Sequence, residues 1–259
     1  MPEHKNQGLS FDSPDFFTLI CGDLPDDCLS GLLSRGFRVI RMPVNRAVDR
    51  TVGRHTDLSV CVVGGSALVR PGLAGCSEIT GSLIRAGKRV ILAEREPSGD
   101  YPADSGLCGC VCGPFFICRT DSCDPALLRA AEAEGLSVLG VRQGYSACSC
   151  LPLPDGSLIT DDPGIARAFG KASDKDLLLV SRGSVSLPRF DTPETGGGFF
   201  GGCCGLCGDT AVFAGDLSAH PDHERITAFL ASHRVGVLCA GSGRLFDTGK
   251  LLFLKTETS

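Results

Sequence analysis

A short apolar run, a tight turn, a second apolar run, a helix-like segment and a third apolar run recur along this chain at a spacing of about 45 residues. Such a recurrence constrains the fold more than any single motif. The third unit is the clearest: Gly109 to Cys112, Phe115 to Cys118, a helix opened by Asp124-Pro125, then Ser137 to Val141. The fourth follows it, with Ala147 to Leu153, Ser157 to Thr160, a helix opened by Asp162-Pro163, and Leu177 to Val180. Asp accepts hydrogen bonds from the free N–H groups of a helix start, and Pro at the first position has no N–H to satisfy, so each Asp-Pro pair marks a helix beginning. The second unit (Leu58 to Val63, Ala67 to Val69, Glu78 to Ala86, Val90 to Leu92) keeps this order. So does the fifth (Gly198 to Gly205, Ala211 to Phe213, His220 to Leu230, Val237 to Cys239). The first, from Phe16 through a helix near Asp26 to Ile40, is the least complete.

A doubly wound nucleotide-binding sheet would alternate single strands with helices and carry a glycine fingerprint after its first strand. Gly64-Gly65, Gly196 to Gly198 and Gly201-Gly202 complete neither GxGxxG nor a P-loop. Five ββαβ units in one α/β domain over residues 1–259, with residues 1–13 as a flexible tail, are therefore expected. At 42% hydrophobic and 21% charged residues the chain can bury a large core, which excludes the disordered class. No run approaches the roughly 18 apolar residues needed to span a bilayer, and MPEHKNQGLSFD lacks the basic and apolar regions of a signal peptide. A cytoplasmic protein is expected. A net charge of −5 with Lys and Arg scattered singly argues against nucleic-acid and membrane partners and leaves small molecules and proteins.

Fifteen cysteines in such a chain read as thiols rather than disulfides. Many lie within apolar runs, where a thiol is a small hydrophobe. Cys108, Cys110 and Cys112 along one strand would put three sulfurs in a row on one face, a poor tetrahedral cage, so neither a metal nor an organic cofactor is expected.

Polar residues at the ends of these runs are the candidates for chemistry. His55-Thr56-Asp57 precedes a strand, and alternate residues of an extended segment share a face, so a carboxylate could orient the imidazole as a general acid/base. Cys148 lies at the mouth of another apolar strand behind Gln143 and Tyr145, and is the first choice of nucleophile. A buried pair of structural thiols, Cys148 with Cys150, is the competing reading. Asp104, Asp161 and Asp247 each sit beside a strand and could bind a cationic ligand, or simply form turns. His220-Pro221-Asp222 is explained by helix capping alone.

The segments RQGYSACSCLPL, SLITDDPGIARAF, GGGFFGGCCG, GDLSAHPDHERITAFL and LFDTGKLL resemble a bacterial family of uncharacterised function assigned to the pentein α/β-propeller fold. That superfamily includes arginine deiminases, amidinotransferases, dimethylarginine hydrolases and a ribosome anti-association factor. The resemblance implies a closed five-bladed ring with a site at the centre. It also implies that His55, Asp57, Cys148 and His220 converge there, with Asp104, Gln143, Tyr145, Asp222 and Asp247 as ligand-binding residues. Relatives that modify guanidines place a catalytic cysteine in the last repeat, which makes Cys203 or Cys204 the rival nucleophile. Two functions follow from the resemblance: a Cys/His hydrolase or transferase of a guanidine- or amidine-type small molecule, or a non-catalytic ligand- or protein-binding module. Because the cysteines read as strand hydrophobes, mild reductant should leave the melting temperature nearly unchanged in calorimetry, whereas a fall of several degrees would establish a required disulfide.

Overall fold

A computed structural model describes residues 17–187 and 197–255; the tail expected over residues 1–13 lies outside them. Among the described residues, five three-stranded sheets form the blades of an α/β-propeller. The chain enters blade 1 with β1 (Phe17–Cys21), α1 (Asp26–Leu33) and β2 (Arg38–Arg41). Blade 2 is β3 (Val60–Val63), β4 (Ser66–Val69), α2 (Ser77–Arg85) and β5 (Arg89–Leu92), and blade 3 is β6 (Cys110–Cys112), β7 (Phe115–Cys118), α3 (Pro125–Ala133) and β8 (Ser137–Gly140). Blade 4 comprises β9 (Cys150–Pro152), β10 (Leu158–Thr160), α4 (Pro163–Ala172) and β11 (Leu177–Leu179). Blade 5 comprises β12 (Cys204–Cys207), β13 (Thr210–Phe213), α5 (His223–Ser232) and β14 (Gly236–Cys239). A last strand, β15 (Leu252–Lys255), returns to blade 1 and pairs antiparallel with β1, Phe17 opposite Lys255 and Ile20 opposite Leu252.

Every blade has one pattern: an inner strand antiparallel to the middle strand, which runs parallel to the outer strand across a helical crossover. The first unit looked incomplete in sequence because its inner strand is β15, at the other end of the chain. Several boundaries differ from expectation, Ala147 to Ser149 among them, which form a turn before β9 begins at Cys150. Residues 201–203 form a 3-10 turn, so β12 starts at Cys204, and a second 3-10 turn at Leu217–Ala219 delays α5 to His223. Both Asp-Pro starts cap as expected: Asp124 Oδ1 accepts from Ala126 N and Asp162 Oδ1 from Ile165 N, at 2.9 and 2.8 Å. No described helix is long and apolar enough to cross a membrane.

The middle strands read as unbroken apolar runs because both of their faces are buried. In β7, Phe116 and Cys118 pack towards blade 2 while Ile117 packs towards blade 4. In β13, Ala211 and Phe213 face blade 4 and Val212 faces blade 1. Alternation along each strand thus supplies two cores at once, and five apolar clusters fill the five junctions between neighbouring blades. Each helix packs into the junction with the preceding blade: α3 gives Leu127 and Ala131 to blade 2, α4 gives Ile165 and Phe169 to blade 3. Phe116, Phe169, Phe200 and Phe213 are fully buried, and truncating any one to Ala would cost about 3–5 kcal/mol.

The inner strands β12 and β15 approach so closely that a Cβ on Gly205 would strike the carbonyl oxygen of Leu251. Gly205→Ala should destabilise the protein by about 1–3 kcal/mol in urea unfolding. Gly75→Ala, where a Cβ meets nothing within 4 Å, should change stability by no more than about 0.5 kcal/mol. Equal effects at the two positions would contradict the close approach.

Candidate active site

The turns that lead into the inner strands meet at the centre of the ring. Asp57 N donates to Gly249 O at 3.0 Å, Ala147 N to Cys108 O at 3.4 Å, and Thr248 N to Gly202 O at 3.0 Å. These contacts tie the approach to β3 to that of β15, β9 to β6, and β15 to β12. Each turn carries polar side chains inward: His55 and Asp57 from blade 2, Asp104 and Cys108 from blade 3, Tyr145 and Cys148 from blade 4, and Asp247 ahead of β15.

Cys148 Sγ and Cys108 Sγ both donate to Asp57 Oδ2, the latter at 3.1 Å. The His55 ring stands between the thiol and a second carboxylate, its Nδ1 4.0 Å from Cys148 Sγ and its Nε2 3.9 Å from Asp247 Oδ1. Asp247 is itself fixed by two backbone donors, Phe199 N and Gly249 N, each at 2.9 Å. Thiol, imidazole and carboxylate in this order are the parts of an activated nucleophile: base within reach of the sulfur, base oriented by a third group. His55 and Asp57 lie in a turn rather than the extended segment expected from alternation, yet both reach Cys148.

His55, Cys148 and Asp247 line a cavity of about 240 Å³, walled by Tyr101, Tyr145 and Phe199 and including Asp104. Tyr145 O–H donates to Asp104 Oδ2 at 2.5 Å, while Asp104 Oδ1 and His55 Nε2 have no hydrogen-bond partner. Behind Asp57 a second cavity of about 160 Å³ is lined by Thr56, Ala147 and Lys250. Lys250 holds a left-handed φ of 76°, a conformation costly for a side-chain-bearing residue.

Burial dominates the electrostatics. It pushes the Cys148 thiol well above the ordinary range, helped by the Cys108 hydrogen bond and the Asp57 and Asp247 charges, and raises Cys108 to about 11. Asp247 and Asp104 are also raised by burial, which outweighs the lowering by His55 and backbone N–H groups at the first and by Tyr145 at the second. Burial therefore favours the neutral acids at Asp104 and Asp247, and a cation beside them would favour their charged forms.

Three expected site residues lie elsewhere. Gln143 binds Asp162 Oδ2 at 3.2 Å and Tyr145 N at 3.0 Å, so it shapes the turn rather than lining the cavity. His220 packs edge-on against Phe200 in the junction between blades 4 and 5; its Nδ1 accepts from Asp222 N, and burial lowers its pKa. Asp222 accepts from Ser181 N and pairs with Arg225. Asp222 stands at the N-cap of α5 but makes no side-chain cap hydrogen bond, so the capping expected from His220-Pro221-Asp222 does not form. Cys203 and Cys204 are fully buried, donate to Phe200 O and belong to the blade 4–5 core. Cys108, Tyr101, Asp49 and Asp100 reach the site without having been singled out as candidates for it. The signal for Cys108 was positional, since it precedes β6 by the same two residues by which Cys148 precedes β9.

His55, Asp57 and Cys148 also form a donor set whose ligand atoms lie within 4.8 Å of one another, a mixed N/O/S group of the kind zinc accepts.

The model of a family of unknown function, DUF6873, matches residues 19–252. No curated protein matches the sequence. In structure the chain is similar to SxtG, an amidinotransferase from Microseira wollei in the saxitoxin biosynthetic pathway, with a TM-score of 0.54, 10% identity, and coverage of 89% of this chain and 79% of that one. It is also similar to DDAH from Pseudomonas aeruginosa, a mutant complexed with citrulline (TM-score 0.48, 10% identity, 88% and 92% covered). A third similar structure is a dimethylarginine dimethylaminohydrolase adduct with S-methyl-L-thiocitrulline (TM-score 0.48, 12% identity, 88% and 93% covered). The likeness to the amidinotransferase establishes the fold as the pentein α/β-propeller.

Asp161, beside the site, is raised to about 7 by burial, against which Phe200 N and Arg182 act only partly. Its folded value lies above the ordinary unfolded one near 3.9, so the native state holds the proton more tightly and stability is lost as pH rises from about 4 to 7. Asp161→Asn keeps an acceptor for Phe200 N. It should be more stable than the parent at pH 8 and no more stable at pH 4, as read by denaturant midpoints; equal differences at both would remove the charge as the cause.

Proposed function

The chain belongs to the family of unknown function DUF6873 and has the pentein fold, and on that premise we propose that it is a cysteine-dependent hydrolase or transferase of a small guanidine- or amidine-type cation. Fold alone does not carry this. The supporting observation is that a thiol, an imidazole and carboxylates share one cavity that no described Lys or Arg lines.

In the proposed reaction Cys148 Sγ attacks the central carbon of the bound cation, and its proton passes to His55. Substrate charge next to the sulfur favours the thiolate that burial otherwise disfavours. The bond to the leaving nitrogen breaks as that nitrogen takes the proton from His55, leaving an amidino group on sulfur. Water, or an acceptor amine in a transferase, gives a proton to His55 as it attacks the same carbon, the C–S bond breaks, and the thiolate takes that proton back from His55. Asp247, facing His55 Nε2, stabilises the imidazolium formed between the two steps. Small-molecule turnover of this kind fits the cytoplasmic setting expected from the sequence.

A second reading, metal-assisted hydrolysis, follows from the same donor set and competes for the same sulfur. Chelation separates the two, because covalent catalysis proceeds after exhaustive treatment with a chelator and metal-assisted hydrolysis does not. Cys148→Ala should lower kcat by about 10³-fold or more with the fold intact by circular dichroism, and His55→Ala by about 10²–10⁴-fold. Cys203→Ala should leave kcat within a few-fold of the parent. Full activity in Cys148→Ala would refute the assignment.

A further inference from the structure

Lys250 is a cation at the ring centre that the chemistry at Cys148 does not use. It lines the cavity of about 160 Å³ behind Asp57, which shares no lining residue with the cavity over Cys148. Among the described residues its ammonium has neither a hydrogen bond nor an ion pair. Lys250 N donates to Gly202 O at 3.0 Å and Leu251 N to Cys204 O at 3.1 Å, so the contact with blade 5 enforces the left-handed φ of 76°. That conformation costs free energy for lysine, and glycine would fit it better. Burial works against the ammonium charge, but Cys110, Cys150, Asp57 and Cys61 hold its pKa above the ordinary lysine value, so the group is charged at neutral pH.

Two more polar atoms at this cavity lack partners. Thr56 is 1% exposed and Asp57 3%, yet Thr56 Oγ1 and Asp57 Oδ1 have no hydrogen bond, the other Asp57 oxygen being taken by Cys148 and Cys108. Buried groups of this kind are costly unless something satisfies them. The rest of the wall is mostly apolar, with Val60, Val62, Val111 and Leu252 from β3, β6 and β15. Val62, Val111, Lys250 and Leu252 are half-buried, so they form the opening.

One cavity thus offers an ammonium and a hydroxyl as donors, a carboxylate oxygen as acceptor, and aliphatic walls. A simple anion would face Asp57 and a simple cation would face Lys250, each a like-charge pair. A molecule with both charges meets neither penalty. At about 30 Å³ per water-sized group the volume has room for roughly five such groups, the size of the smallest amino acids.

We propose that this cavity is a binding site for a small zwitterionic α-amino acid with an aliphatic side chain, of alanine's size. Its carboxylate pairs with Lys250 Nζ and accepts from the Thr56 hydroxyl, its ammonium donates to Asp57 Oδ1, and its methyl group lies against the valines.

Calorimetric titration of the full-length parent protein tests this, with L-alanine, propionate, ethylamine and L-leucine as probes. L-Alanine should bind one to one. Propionate and ethylamine each lack one charge and should bind at least about tenfold more weakly, and L-leucine is too large to bind measurably. Lys250→Gly suits the left-handed backbone, so it should fold as judged by circular dichroism and lose at least about tenfold in L-alanine affinity. Thr56→Val should lose several-fold. Asp104→Asn, which alters only the cavity over Cys148, should bind L-alanine within about twofold of the parent. No binding of L-alanine, propionate binding as tightly as L-alanine, or a loss of affinity in Asp104→Asn with none in Lys250→Gly overturns the proposal. Because binding is read without turnover, failure here leaves the cysteine-enzyme reading standing, and a parent protein that binds L-alanine but turns over no guanidine or amidine upholds the site.

Discussion

The pairing of β15 with β1 is the contact on which the rest of the ring depends, because it joins residues more than 230 positions apart and gives blade 1 its inner strand. Closing so long a loop costs little more than closing a short one, since the entropy grows only logarithmically with length. What it gains is the last of five junctions: Leu251 packs with Cys207 and Val212 of blade 5, while Leu254 packs with Val60 and Val69 of blade 2. Only in the closed ring does the turn before β15 arrive beside those of blades 2 and 5, carrying Asp247 and Gly249 to His55, Asp57 and Phe199.

Closure also creates an electrostatic deficit. Asp104, Asp161 and Asp247 are buried, and the cations around them are few: Arg182 lies 4.0 Å from Asp161 and no ion pair with Lys or Arg reaches the other two among the described residues. Carboxylates held this way are expensive unless they are hydrogen-bonded, neutralised or paired with a ligand. Backbone donors meet part of the need at Asp247 and Asp161, and Tyr145 meets part of it at Asp104. The remaining unpartnered oxygens at Asp57, Asp104 and Asp161 leave acceptor capacity for a positively charged guest. A stable scaffold carries this cost at its centre because five separate apolar junctions hold the ring around it.

The cysteines divide by position. Cys61, Cys118 and Cys123 lie in the junction between blades 2 and 3, and Cys110, Cys112 and Cys150 in that between blades 3 and 4, packed among larger apolar side chains such as Phe116 and Phe169. Cys108 and Cys148 instead sit in turns, two residues before their strands, and face a carboxylate. The two groups are chemically alike in sequence. Only their place along the radius of the ring distinguishes a packing thiol from one that can react.

Local chemistry was legible from the residues themselves. Asp-Pro at 124–125 and 162–163 announced helix starts because capping needs only neighbouring atoms, and unbroken apolar runs announced strands buried on both faces. His55, Asp57, Cys148, Tyr145, Asp104 and Asp247 could be named because polar groups at strand ends have little packing reason to be there. The sequence alone could not reveal that β15 completes the incomplete first unit, that Cys108 shares Asp57 with Cys148, or that Val48 bridges Gly99 beside the cavity. Nor could it exclude His220 and Cys203, whose local settings resemble those of residues that line the central cavity. These outcomes depend on which turns the closed ring brings together and which side of each strand faces its centre, and contacts between residues far apart in the chain are decided by packing rather than by any local preference.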